Sequence, residues 1–157
     1  RALGYRLPSE AEWELLAKNI GHSDGTIFSW GNDYSIKSSA GNIADISSDG
    51  LARQIVATYN DGFKEKAPVK SFSSKNGFFD ISGNVSELVH DNYSFVGTKE
   101  GVVLFDYLGP EIGSTKVIKG SNYLSANWTE LRASFRESID ENIERSDISF
   151  RIARYVH

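Results

Sequence analysis

From Gly21 to Ala67 the chain is dominated by Gly, Ser, Asn and Asp with single aromatics set between them, and this stretch limits the possible fold more than any other. Such residues bond their side chains back to their own backbone and tolerate turn conformations, so ordered irregular loops are expected here and long helices are not. Regular structure is predicted on either side. In RLPSEAEWELLAK, Ser9 can cap a helix and Glu12, three residues on, completes a capping box, which predicts a helix over about 9–19 stopped by Gly21. Short extended runs follow at QIVATY (54–59), VVLFDY (102–107), KVIKG (116–120) and SDISFRIARY (146–155), where Ile148, Phe150 and Ile152 alternate onto one face. At 157 residues, 39% hydrophobic and 12% aromatic, the chain can bury roughly 70% of its unfolded surface around one core, so a single loop-rich α+β domain over 1–157 is expected.

Charge and cysteine content narrow the function classes. A net charge of -4 from 17 basic and 21 acidic residues leaves no basic stripe for nucleic acid. No apolar run approaches 18 residues, so membrane insertion is not expected. The chain begins at Arg1 and contains no Met, so a fragment of a longer protein is expected. Zero Cys excludes disulfides, thiolate metal sites and cysteine nucleophiles within it.

The segment DISGNVSELV (80–89) carries the clearest chemistry. Calcium takes six to eight hard oxygen ligands and mixes carboxylates with backbone carbonyls, so a binding loop separates its acids by residues whose carbonyls can turn inward. Asp80 and Glu87 are the acids, Gly83 permits the turn, and the carbonyls of Gly83 and Val85 are candidate ligands. The plainer alternative is a Gly-Asn turn leading into a strand whose Glu87 faces water.

Five separated motifs, RLPSEAEWE at 6–14, WGN at 30–32, DGF and APV within 61–69, NGFFDISGNVSELV at 76–89 and SFRIAR at 149–154, resemble the formylglycine-generating enzyme (sulfatase-modifying factor) family in order along the chain. The resemblance implies an irregular α+β fold like that of C-type lectins. It also implies two calcium ions. Asn42, Ile43, Asp61 and Phe63 match the family's first site, with Asn42 and Asp61 binding through side chains and Ile43 and Phe63 through carbonyls; Asp80, Gly83, Val85 and Glu87 match the second. The usual Trp-Glu-Trp of the second loop is here Ser86-Glu87-Leu88, which keeps the acid and drops two rings.

Formylglycine generation in the family uses copper held by two cysteines, whose positions fall here at Leu124 and at Trp128 or Thr129. Neither place can supply a thiolate, so copper and this oxidase activity are not expected. A second branch that the resemblance brings in, the iron-dependent sulfoxide synthases, uses a histidine cluster contributed largely by another domain. This chain has only His22, His90 and His157, with no ligand-like spacing, and Arg132, Arg136 and Arg154 read as structural. The alternative of a cysteine-independent oxidoreductase therefore needs residues from outside the chain.

Residues 121–130, SNYLSANWTE, mix rigid rings with adaptable polar groups, as antibody contact loops do. Ser121, Asn122, Tyr123, Asn127 and Trp128 form a candidate ligand-binding set, and the same segment is the variable binding region in retroelement-diversified relatives that the resemblance brings in. The opposite reading puts Trp128 in the core and the polar residues in turns. The expected function is a non-catalytic, calcium-stabilised domain that binds a protein or small-molecule ligand. Calcium is plentiful outside the cytosol, which points to an extracytoplasmic bacterial setting.

Overall fold

The computed structural model describes residues 4–19, 25–36, 40–75, 77–95, 102, 103, 105 and 107–155. Helix α1 spans Glu10–Asn19 and begins as its capping residues dictate. Ser9 Oγ accepts the Glu12 amide at 3.2 Å, and the Glu12 carboxylate accepts the Ser9 amide at 2.8 Å. Trp13, Leu16 and Ala17, three and four positions apart, turn one stripe inward, while Leu15 stays outside. At the far end Lys75 reaches from another loop to cap the Ala17 carbonyl at 3.0 Å.

That stripe lies on a four-stranded sheet ordered β4-β3-β2-β5, in which β2 is Ser86–Asn92, β3 is Lys116–Lys119, β4 is Arg136–Ile139 and β5 is Ile148–Phe150. The pairs β2/β3 and β3/β4 are antiparallel and β2/β5 is parallel. A separate two-stranded antiparallel pair joins β1 (Tyr5–Arg6) to β6 (Ala153–Arg154). Side chains alternate along a strand, so Glu87, Val89 and Asp91 of β2 share one buried face. All three meet α1: Glu87 accepts the Trp13 indole N–H at 2.7 Å, Val89 joins the cluster around Trp13 and Ala17, and Asp91 accepts the Glu10 amide at 2.7 Å.

Register brings in two cations. Lys119 pairs with Glu87 across β2/β3, and its fully buried ammonium reaches Glu14 at 3.0 Å and Glu10 at 3.4 Å. Ser149 pairs with Glu87 across β2/β5, and Arg151, two residues further on, grips the Glu87 carboxylate through Nε at 2.5 Å and through Nη2. A second cluster of Phe28, Ala40, Ile43, Tyr59 and Leu131 supports the loops, which include a 3₁₀ turn at Ile46–Ser48. No described helix is long and apolar enough to cross a membrane.

Three of the extended runs read from sequence differ from the structure. QIVATY contributes only an isolated bridge at Val56, to Asp45, because its backbone bonds serve loop contacts. The described positions of VVLFDY, Val102, Val103, Phe105 and Tyr107, carry no strand, and Leu104 and Asp106 lie outside the described residues. Phe150 and Ile152 are 62% and 61% exposed, so the alternating stripe of the last segment covers no core. The stop at Gly21 falls outside the described residues.

Asp147, just before β5, ties that strand to the start of β2 through the Ser86 amide and carries a pH signature. Burial raises its carboxyl, but hydrogen bonds and charge from Arg145 outweigh that and hold it below the usual carboxylate range. A depressed folded-state value means a contribution that is full at neutral pH and lost as pH falls through that value. Asp147→Asn is expected to lower stability at pH 7 and to flatten the acid limb of the profile, as measured by denaturant unfolding from pH 7 down to about pH 2. An acid limb unchanged by the substitution would assign that pH dependence to other carboxylates.

Candidate functional site

The first oxygen-rich site is assembled by two loops that meet behind Tyr59. Asn42 is fully buried, and its amide nitrogen donates to the Glu65 carbonyl at 2.7 Å and to Asn84 Oδ1 at 3.3 Å. Its Oδ1 has no hydrogen-bond partner. Asp61 Oδ2 accepts the Ile43 amide at 3.0 Å and Oδ1 accepts the Phe63 amide at 2.8 Å, so the Asp61 carboxylate joins Ile43, the chain neighbour of Asn42, to Phe63. Asp45, also fully buried, accepts the Asp61 amide, and Ser47 Oγ donates to Asp45 at 2.5 Å and approaches the Phe63 carbonyl at 3.0 Å. Burial first, and then the charge of Asp45, push the Asp61 carboxyl up against the opposing amide bonds. An orphaned buried amide oxygen costs about 1–3 kcal/mol, and a buried carboxylate facing another carboxylate costs more; a hard cation relieves both.

The second set lies on the turn entering β2. Asp80 (φ 54°), Gly83 (φ 74°) and Asn84 (φ 65°) are all left-handed, a conformation that Gly, Asn and Asp tolerate best. Asp80 Oδ2 accepts the Lys70 amide at 3.1 Å, while its Oδ1 is buried and unpartnered. Glu87 does not face water: it is 7% exposed, and both oxygens are engaged by Trp13 and Arg151. The Asp80 end of this turn therefore fits a cation, whereas Glu87 could serve one only by sharing its carboxylate with Arg151. A cleft of about 270 Å³ between Trp30, Phe72, Lys75, Phe78, Asp80 and Ser82 leaves space for water beside it. Among the described residues no three His, Asp or Glu side chains cluster as a metal-binding group, so a cation here must draw on carbonyl and amide oxygens.

The 121–130 segment divides in two. Ser121, Asn122 and Tyr123 are buried and do not form part of an open ligand surface. Ser121 Oγ accepts the Gly83 amide at 3.0 Å, Asn122 donates to Ser86 Oγ and Asp147 Oδ2 at 3.0 Å each, and the Tyr123 amide donates to the Asn84 carbonyl at 3.1 Å. Their polar groups hold the second loop to the sheet. Asn127 and Trp128 do face out, and Trp128 is 39% exposed. Its ring leans on buried Phe28 at 5.5 Å and on exposed Tyr34 at 5.2 Å, so it is both an anchor and a surface. Tyr34 was not foreseen, since nothing local in DYS marks it. The same loops line a shallow groove of about 480 Å³ with Thr26, Asn32, Arg132 and Ser134.

Of the histidines, His90 is exposed on β2, with Nδ1 3.4 Å from the Leu108 carbonyl; His22 and His157 lie outside the described residues. Arg136 is structural, pairing with Glu10 at 2.8 Å and with the Ser94 carbonyl at 2.8 Å. Arg151, which nothing in SFRIAR distinguishes from Arg154, is the arginine that holds the buried Glu87 carboxylate.

Among the described residues, a short mixed sheet backed by one α-helix, with most of the rest in loops packed against one another, defines the loop-rich α+β class of formylglycine-generating-enzyme fold. Treponema denticola variable protein 1 shares it with a TM-score of 0.74 and 26% identity over 96% of this chain and 47% of that one. The chain belongs to the family described as sulfatase-modifying factor enzyme 1-like domain, which matches residues 1–156. It is 32% identical over 124 residues to the formylglycine-generating enzyme of Thermomonospora curvata, covering 77% of this chain and 39% of that protein. It is 31% identical over 153 residues to the mouse formylglycine-generating enzyme, covering 96% of this chain and 39% of that protein. The chain thus spans about two fifths of the length of these curated relatives.

Proposed function

We propose that this is a non-catalytic, calcium-stabilised domain of the family that binds a ligand or protein partner through the face bearing Tyr34, Asn127 and Trp128. The observation that carries the calcium reading is the unpartnered Oδ1 of fully buried Asn42, next in the chain to Ile43, whose amide is held by the Asp61 carboxylate. Asn42, Ile43, Asp61 and Phe63 would hold one ion, and Asp80, Gly83 and Val85, with Glu87 shared, would hold a second. Bound calcium would act as a structural charge, neutralising Asp61 and fixing the loops. A chain without cysteine offers no thiolate to copper, which is why family membership does not carry the oxidase activity over. A calcium-dependent fold suits compartments outside the cytosol.

Calcium removal tests the first half. Binding to the folded state alone stabilises by about 2.7 kcal/mol when calcium is at a hundred times its Kd. Excess chelator is expected to lower the thermal midpoint, and Asp61→Asn to remove the first ion's share of that difference. A midpoint indifferent to both would end the calcium reading. For the binding face, Trp128→Ala is expected to weaken capture of any ligand found by screening arrayed glycans and peptides by tenfold or more, given that buried aromatic anchors contribute 2 kcal/mol or more at interfaces. Full capture by a variant that still melts cooperatively would place the interface elsewhere.

A further inference from the structure

The two oxygen-bearing loops interlock along their backbones. At Gly41 a methyl group would stand 2.9 Å from the Ser82 carbonyl carbon and closer still to its oxygen; at Gly83 it would stand 2.7 Å from both the carbonyl carbon and the amide nitrogen of Asn42. Side chains are excluded on both sides of this seam. One residue crosses it repeatedly. The Asn84 amide donates to the Asn42 carbonyl at 2.6 Å, Asn84 Oδ1 accepts from Asn42 Nδ2 at 3.3 Å and from the Ala67 amide at 2.9 Å, and Asn84 Nδ2 donates to the Ala67 carbonyl at 3.2 Å.

We propose that the two loops bind cations as one coupled unit, with Asn84 as the positioning residue that transmits occupancy from one to the other. The inference rests on the calcium reading above. A cation drawing on Asn42 Oδ1 fixes which way that amide points, and so directs Nδ2 at Asn84. Asn84 is flanked by Gly83 and Val85, whose carbonyls belong to the second set, and it is itself left-handed at φ 65°. Fixing its amide therefore sets the Gly83 carbonyl, which shares that peptide plane, while the Val85 carbonyl is set by the bond from the Ser86 amide to the Asp147 carbonyl at 2.8 Å. In the other direction, a cation holding Gly83 and Val85 immobilises Asn84 and presents Asn42 to the first site. The seam is ordered once and not twice, so the second ion meets a loop already in place. Coupling of this kind is reciprocal, with a size of about 5–150-fold in affinity.

The test is a calcium titration of the full chain by calorimetry, with tryptophan-excited terbium luminescence reading the second site beside Trp13 and assigned to it by its loss in Asp80→Asn. Asp61→Asn, which cripples the first site, is expected to weaken terbium at the second roughly tenfold. In an Asn84→Gly background, where glycine keeps the left-handed backbone but removes the side-chain bridge, the same substitution is expected to change it less than about twofold. Terbium affinity unmoved by Asp61→Asn in the Asn84 chain would overturn the coupling while leaving two independent calcium sites. Absence of any calcium or terbium binding would overturn the underlying calcium reading as well. If Asn84→Gly does not fold, Asp80→Asn followed by calcium calorimetry at the first site tests the reciprocal effect: a roughly tenfold loss supports coupling, and an unchanged affinity refutes it.

Discussion

Replacing Glu87 with glutamine is expected to cost about 3 kcal/mol of folding stability, whether or not calcium is present. The carboxylate sits between the Trp13 indole and the Arg151 guanidinium, with side-chain exposures of 9% for Glu87 and 19% for Arg151, so little water can replace the lost charge. Breaking a buried pair from one side costs more than the pair contributes, because the remaining ion is stranded. Glutamine makes this worse at one oxygen, where its amide hydrogens would face the donors of Arg151. Denaturant unfolding in excess chelator and in excess calcium measures the effect. A loss seen only with calcium would mean that Glu87 serves the ion first and Arg151 second. The double variant Glu87→Gln/Arg151→Met should recover part of the loss, since it leaves no unpaired guanidinium.

Gly83→Ala is expected to be at least as damaging. A Cβ here meets backbone atoms of Asn42, which cannot swing aside as a side-chain tip would, and the left-handed backbone adds its own cost. The conformation contributes about 1–2 kcal/mol against alanine, and forcing the loops apart about 1–3 kcal/mol more. Thermal unfolding reads the stability, and amide exchange at Asn84, whose N–H crosses the seam to Asn42, reads the opening directly. Gly62→Ala is the control. It too is left-handed (φ 86°), but nothing lies within 4 Å of its would-be Cβ, so it should lose only the conformational part. Equal losses at the two glycines would show that the seam is not tightly closed.

Local chemistry was legible in the sequence. The capping box of Ser9 and Glu12 depends on atoms three residues apart and forms as expected. The left-handed turn at Asp80–Asn84 needs only residues that tolerate positive φ, and the order Asp, Gly, Asn announces them. The reading of 21–67 as irregular also agrees with the structure at the described positions, because Gly, Ser, Asn and Asp satisfy the backbone without a ladder. Family motifs named the fold; the bond from the Ile43 amide to Asp61, 18 residues further on, is one that no spacing rule would have given.

What remained hidden depends on register and burial. Glu87 reads as a surface acid or as a cation ligand until the parallel pairing of Glu87 with Ser149 carries Arg151 to it. Tyr123 reads as a contact residue until the seam takes its amide to Asn84, and Tyr34 reads as nothing until Trp128 leans on it. QIVATY and VVLFDY have the composition of strands, yet strand formation requires a neighbour that offers an edge. Capping and turn formation are completed within a few residues, so the sequence determines them unaided; a buried ion pair, an exposed ring or a cation cage is completed by atoms far apart in the chain, and only the packing of helix, sheet and loops decides which of them meet.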